Sequence, residues 1–454
     1  MAALIFDHAL LPEGWAADVR IEVADGVITE VTSAAPREGA EHVAGIAVPG
    51  MANLHCHAFQ KGMAGLAERR GPVHDSFWTW REVMYRFLRV LTPDDVEAIA
   101  AYAYMEMLEV GFTAVGEFHY LHHDPDGRPY NDVAEMMVRI AAAANHTGIG
   151  LTLLPSFYAQ GGFGGAPPSA GQRRFITDPE MFLRLVARAQ EIAAALPDAR
   201  VGIAPHSLRA VTPQALRVVL GATKTGPIHI HAAEQTQEVN DCIAALGARP
   251  VAWLIANAGV DARWCLVHAT HMTERETEAL AEAGAVAGLC PLTEANLGDG
   301  VFNADQYLAA RGRFGIGSDS NIELDAAAEL RQLEYNQRLR QRARNVLALR
   351  EGESVGRRLY ADALAGGTQA LGRAIGSIKP GQRADIVVLD AEHPDLAGSS
   401  GDLWLDKYIF VAGRRLVRTV FVGGVKVVDT GAHKSRAMVT DRYRRTMARL
   451  ADKA

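Results

Sequence analysis

The sequence predicts an α/β protein: a (β/α)8 TIM-like barrel accompanied by a small β-sandwich domain built from both termini. Three observations carry this prediction. Between about residues 45 and 320, eight short apolar runs alternate with longer stretches of helical period. The two ends instead carry short alternating runs cut by Gly and Pro, the pattern of β-hairpins. The central apolar runs also end repeatedly in histidine, where a parallel barrel gathers its chemistry. The expected boundaries are 1–48 for the N-terminal part of the β domain and 49–375 for the barrel. Residues 376–454 are expected to form the C-terminal part of the β domain and a terminal helix.

Taken in order, "LIFDHALLPEGWAADVRIEVADGVITEVT" reads as hairpins. The candidate barrel strands are "GIAVPGMANLHCH", "GFTAVGEFH", "GIGLTLLPSF", "RVGIAPH", "PIHIHAA", "RWCLVHA", "AVAGLCP" and "FGIGSD". Helical stretches lie between them, such as "TPDDVEAIAAYAYMEMLEVG", with Pro93 and acids in its first turn and Gly111 at its end. A doubly wound open sheet is the competing architecture. No glycine-rich phosphate loop follows the first strand, which weakens it. The stretch "QGGFGGAPPSAGQ" after the third strand is too irregular for a phosphate cradle and is expected to be a mobile active-site loop. Near the other end, "GSIKPGQRADIVVLD" and "RLVRTVFVGGVKVVDTG" return to the hairpin pattern, with Gly423-Gly424 as a turn. The charged segment from Ser435 onward has helical period and should lie on the surface.

Composition removes several function classes. With 454 residues the chain can bury a large core. A formal charge of −7 and the lack of any basic tract argue against nucleic acid as a partner. No apolar run reaches the roughly 20 residues needed to cross a bilayer, so no membrane partner is expected. Asp7 and His8 interrupt the N-terminus where a signal peptide would be apolar. Cys56, Cys242, Cys265 and Cys290 are scattered, as reduced thiols of a cytoplasmic protein would be. A homodimer is possible, although no helix declares an interface.

The strand ends give, in order, His55 and His57, then His119-Tyr120, His206, His231 with Glu234, His268, Cys290 and Asp319. In a strand, positions i and i+2 share a face, so His55 and His57 can reach one ion. Three histidines and an aspartate from separate strand ends would make a zinc shell with room for water. Other polar residues have plainer readings. His229 shares the face of His231 but lies deeper, as a core or supporting residue. His271 should start the next helix, His122 and His123 should be solvated loop residues, and Cys56 should pack on the opposite strand face.

"HCH" at 55–57, "HIHAAE", "VHATH" and "GSDS" together resemble the metal-dependent amidohydrolase superfamily, in its deaminase branch. The stretches "HCHAFQKGMAG", "SFWTWREVMY", "GEFHYLHH" and "HSLRAV" are similar to the formimidoylglutamate deiminase family within it. That resemblance implies conversion of N-formimino-L-glutamate and water to N-formyl-L-glutamate and ammonia, in histidine degradation. Binuclear members carry a bridging lysine at the end of the fourth strand; here that strand ends "APHSLR", and Lys224 is too far along. The resemblance therefore implies one metal per chain, held by His55, His57, His231 and Asp319. Zinc is the expected ion, with Fe2+ or Mn2+ as possible replacements.

The same resemblance assigns catalytic roles to Glu234, His268 and Asp319. Zinc would lower the pKa of a water toward about 7. Asp319 or His268 would take its proton, and Glu234 would protonate the imino nitrogen. The small-molecule substrate is a dicarboxylate, for which Arg81 and Arg209 offer planar forks. Gln60, Tyr120 and His206 complete the implied substrate contacts. The alternative is another deaminase of this branch, acting on a guanine, cytosine or adenosine-like ring; its pocket would favour aromatic and amide contacts over two arginines. A non-catalytic scaffold that had lost its metal is a further alternative, against which the complete ligand set argues.

Overall fold

Alternation at the N-terminus folds as hairpins in the computed structural model, which describes residues 2–71 and 74–451. Strands β1 (Ala2–Leu11), β2 (Gly14–Ala24) and β3 (Val27–Thr32) pair antiparallel in sequence, and β4 (Glu41–Pro49) returns parallel to β1. The chain then leaves this sheet through β5 (Met51–Cys56), β6 (Phe112–His119), β7 (Gly150–Phe157), β8 (Arg200–Val201) and β9 (Ala204–Pro205). The run continues with β10 (Ile228–Ala232), β11 (Trp264–His268), β12 (Val286–Leu289) and β13 (Arg313–Ile316). It comes back with β14 (Ile386–Leu389), β15 (Val417–Val422), β16 (Val425–Asp429) and β17 (Ala432–His433). Both ends thus join one eight-stranded sheet, in the order β17-β16-β15-β14-β4-β1-β2-β3. Its apolar faces close on a core of their own, where Phe6 meets Phe421 edge-on with ring centres 6.2 Å apart.

The central strands form two parallel sheets. One runs β5-β6-β7-β8, with β9 also on β7; the other runs β10-β11-β12-β13. Parallel bridges link Ile203 with Ile228, Ser207 with His231, and Cys56 with Asp319. Strands buried on both sides carry mostly apolar residues on both faces, as in "FTAVGEFH", where Thr113, Glu117 and His119 are the buried polar exceptions. Two expected strands differ in detail. The first is cut at Gly50, so that Glu41–Pro49 serves the terminal sheet and Met51–Cys56 the parallel one. A Cβ at Gly50 would stand 2.4 Å from the Thr113 side chain, so the crossing requires glycine. The fourth breaks into β8 and β9 because its amides alternate between neighbours: Gly202 bonds Leu153 and Ile203 bonds Pro227.

Helices cover the parallel sheets. The helix Pro93–Glu109 begins at a reciprocal cap between Thr92 and Asp95, with the expected Pro93 in its first turn. The terminal helix Arg436–Ala451 lies against it, with Tyr443 stacked on Tyr102 at 4.0 Å and ion pairs Arg436–Glu109, Arg442–Glu97 and Arg449–Asp95. Only Val439 and Leu450 of that helix are buried, so it is a surface helix. No single helix among the described residues is long and apolar enough to cross a membrane. All four cysteines are buried and unbridged.

Candidate active site

The candidate metal centre is assembled from backbone upward. His55 sits one residue before the end of β5 and His57 one residue beyond it, both buried, while His231 sits near the end of β10. Asp319 lies three residues beyond β13 and is fastened to the first strand through its main chain: its N–H bonds His55 O at 2.9 Å, and its carbonyl accepts the N–H of His57 at 3.0 Å. A Cβ at Gly317 would stand 2.8 Å from His55, so glycine allows this close approach. Asp319, His268 and Ala233 all hold left-handed φ values, of 44°, 67° and 52°. Such conformations cost energy for non-glycine residues and are characteristic of functional sites.

The donor chemistry fits a cation. The Nδ1–H of His57 donates to Phe118 O and that of His231 to His206 O, both at 2.8 Å. Each bond leaves the Nε2 lone pair free. Yet His231 Nε2 faces His55 Nε2 at 3.1 Å, and Asp319 Oδ1 lies 3.3 Å from His57 Nε2 and 3.4 Å from His55 Nε2. Metal bonds of about 2.0–2.1 Å at tetrahedral angles would put donor atoms about 3.3 Å apart. Burial pushes the pKa of His55, His57 and His231 below the usual imidazole value, which keeps them neutral and able to ligate.

Beside this centre lie the proton-handling candidates. Glu234 Oε1 is 3.7 Å from His268 Nε2, and Asp319 Oδ2 is 3.9 Å from the same nitrogen. Burial pushes the Glu234 carboxyl up to about 7, against the opposing pull of His268 and Arg209. Burial alone would lower His268, but Glu234, Glu294 and Asp319 outweigh it and hold the imidazole up at about 10.

These groups line one cleft together with Gln60, Arg81, Tyr120, His206 and Arg209. Arg209 is 7% exposed, and its Nε and Nη1 have no hydrogen-bond partner among the described residues. Its guanidinium lies 5.5 Å from the Trp78 ring centre, and that of Arg81 lies 4.6 Å from the same ring. The helix Phe77–Leu88, opened by a reciprocal cap at Ser76, thus carries one arginine and the aromatic surface between the two. Gln60 donates to Tyr120 Oη at 2.6 Å, which fixes both side chains on the cleft wall.

Every residue expected at the site therefore falls in one cleft, except His55, which lies directly beneath it against His57 and His231. Other expectations divide. His229 is a core residue, with Nε2 bonded to Ala370 O at 2.8 Å, and Cys56 packs away from the cleft against Asn321. His122 and His123 are not solvated, as their loop position suggested. Both are buried, bonded to Ser156 O and Ile176 O, because the chain from 172 to 177 folds over them. The loop 160–172 contributes no lining residue; only its flanks Tyr158 and Phe175 reach the cleft.

Three carboxylates escaped the sequence reading. Glu117 accepts the N–H of Ala58, just after His57, and the hydroxyl of Tyr104. Glu238 accepts the N–H groups of Ala233 and Glu234. Glu294 accepts the N–H of Cys290 and lies 3.3 Å from His268 Nδ1; His268, Cys290 and Glu294 form a second close group of buried donor atoms. Glu238 falls at the third position of a helix opening at Gln235, a spacing that signals a back-reaching acid. The other two carried no such signal.

Comparison with known proteins adds the following. A family model described as "Amidohydrolase family" matches residues 46–427, and one described as "Formimidoylglutamate deiminase HutF, N-terminal domain" matches residues 2–44. The chain is 52% identical to formimidoylglutamate deiminase of Pseudomonas aeruginosa over 454 residues, which is all of both chains. It is 31% identical to the 5-methylthioadenosine/S-adenosylhomocysteine deaminase of Natronomonas pharaonis, across 93% of this chain and 92% of that protein. The crystal structure of an amidohydrolase from Brucella melitensis superposes with a TM-score of 0.95 at 53% identity, over 99% of this chain and 100% of that one. An adenosine deaminase from Xanthomonas campestris, with bound zinc, shares the fold at 24% identity, with a TM-score of 0.80 over 99% of this chain and 98% of that one.

Proposed function

This chain belongs to the amidohydrolase family, and on that footing we propose that it is a hydrolytic deiminase acting on N-formimino-L-glutamate. The products are N-formyl-L-glutamate and ammonia, a step of histidine degradation. The observation that carries this reading is the full-length 52% identity to a formimidoylglutamate deiminase. The buried Arg209, whose Nε and Nη1 have no partner among the described residues, lines the same cleft as Arg81 and the histidine cluster and supports it. A buried guanidinium without a partner is costly unless a ligand anion completes it.

His55, His57, His231 and Asp319 would hold one divalent ion, with zinc the favoured species for this N/O set and Fe2+ or Mn2+ as substitutes. When bound, that ion supplies Lewis-acid activation of water near neutral pH. The chain's own residues do the rest. Asp319 turns Oδ1 to the histidine ligands and Oδ2 toward His268, which supports Asp319 as acceptor of the water proton and His268 as its partner. Glu234, with a carboxyl raised to about 7, is suited to give a proton to the imino nitrogen. The proton Asp319 takes from water passes to the same nitrogen, now an amine. The carbon–nitrogen bond breaks, ammonia leaves, and the adduct's hydroxyl gives its proton back to Glu234 as the formyl carbonyl forms, which restores both carboxyl groups. Arg81 and Arg209 each take a carboxylate, and Gln60, Tyr120 and His206 orient the amidine end.

The architecture consistent with this chemistry is a closed (β/α)8 barrel over residues 49–375, with both parallel sheets as its wall. The terminal sheet, from 1–48 and 376–454, is then a flanking sandwich. Free buried thiols are in keeping with a cytoplasmic location. The test is an ammonia-release assay of metal-loaded protein with N-formimino-L-glutamate beside cytosine, guanine and adenosine. Release from the first alone bears out the proposal; preference for a ring substrate moves the chain to the nucleobase-acting deaminases.

A further inference from the structure

We propose that Glu294 is a positioning residue for His268, holding the Nδ1–H so that the Nε2 edge faces Glu234 and Asp319. The inference rests on the reading of His268 as a proton-handling group and assigns what keeps that ring in place.

His268 closes β11 in a left-handed conformation and is 1% exposed. Its Nε2 edge has two carboxylates at 3.7 and 3.9 Å, and its Nδ1 lies 3.3 Å from Glu294 Oε1. Glu294 is itself 2% exposed and lies in the helix Pro291–Leu297. The same Oε1 accepts the N–H of Cys290 at 2.9 Å, and the Glu294 amide bonds Cys290 O at 2.9 Å. The carboxylate is thus fixed by main chain before it meets the imidazole. An imidazole acting through Nε2 needs its ring rotation fixed, and a carboxylate on the Nδ1 edge fixes it. The bond to Cys290 alone would explain a helix cap. It does not explain why the oxygen that caps is also the one facing Nδ1.

The test is a double-mutant cycle on metal-loaded enzyme, with a spectroscopic readout independent of turnover. Glu294→Ala should keep one divalent ion per chain and KM within about threefold, while kcat falls roughly 10- to 100-fold. In the His268→Asn background, Glu294→Ala should cost less than about twofold, because the group it serves is gone. In zinc-loaded protein labelled with 15N-histidine, a downfield Nδ1–H resonance should be present in wild type. It should be absent in His268→Asn, lost in Glu294→Ala and kept in Glu294→Gln. If Glu294→Ala does not fold, Glu294→Asp serves in the same cycle. Its carboxylate, one methylene shorter, should withdraw from Nδ1 while the charge is kept.

An equal loss in both backgrounds would reduce Glu294 to a helix cap and overturn the proposal. So would a resonance untouched by the substitution, or a second metal equivalent per chain that Glu294→Ala removes, which would make His268, Cys290 and Glu294 a ligand set. A fully active His268→Asn would refute the role of His268 itself, and that result is read before Glu294 is altered.

Discussion

Replacing Arg209 by methionine isolates what recognises the substrate. Methionine keeps much of the side chain's length but loses the guanidinium, which lies over the Phe77 and Trp78 rings. In the substrate complex, one carboxylate would then sit in a largely enclosed cleft without a charged partner. Truncating one member of a buried charge pair costs about 2–5 kcal/mol. At about 1.36 kcal/mol per decade, kcat/KM for N-formimino-L-glutamate should fall roughly 30-fold to several thousand-fold. Metal content should not change, because the four ligands lie on other strand ends. Stability without substrate should hold or rise, since the removed cation has an Nε and an Nη1 with no partner among the described residues. Steady-state ammonia release, metal analysis and thermal unfolding measure the three quantities. A variant within threefold of wild type in kcat/KM, fully metallated, would refute the argument. So would an equal loss on an analogue that lacks the carboxylate Arg209 is said to bind.

Other substitutions separate the remaining roles. His231→Ala should lose both the bound ion and activity, with wild type holding about one divalent ion per chain by elemental analysis; two tightly held ions would end the mononuclear reading. Glu234→Gln and His268→Asn should each keep the ion yet lose at least about a hundredfold in kcat, and a metallated variant with near-normal turnover would remove that residue from the mechanism. Acid stability should depend on His122, which burial pushes from 6.5 down to about 4 in the fold. The stability it contributes is complete above pH 6.5 and is lost as pH falls toward 4, about 2 kcal/mol between pH 7 and pH 5. Urea unfolding of His122→Leu should therefore show a flatter pH dependence over that range, and an unchanged dependence would contradict the assignment.

The eight parallel strands were legible because strands buried on both faces leave continuous apolar runs, and because histidines crowd the ends of those runs. The break at Gly50 was not, since one run of apolar residues serves two sheets and only the approach of Thr113 divides it. The cluster of His55, His57, His231 and Asp319 could be read because imidazole and carboxylate at strand ends have few other uses. The supporting carboxylates could not. Glu294 sits 26 positions from His268, and Glu117 braces a turn 59 residues earlier, so neither local period nor spacing connects them. His122 and His123 were misjudged for a related reason. A loop sequence does not announce that a later segment, here 172–177, will cover it and supply carbonyls to bond.

The central claim is that this cleft hydrolyses the formimino carbon of N-formimino-L-glutamate with loss of its terminal nitrogen. Proton and carbon NMR of the reaction mixture, with ammonia quantified in parallel, tests it most directly. The account predicts N-formyl-L-glutamate and ammonia in equal amounts, formed only by metal-loaded protein. L-glutamate with formamide, or no turnover by protein holding its full metal complement, would contradict it.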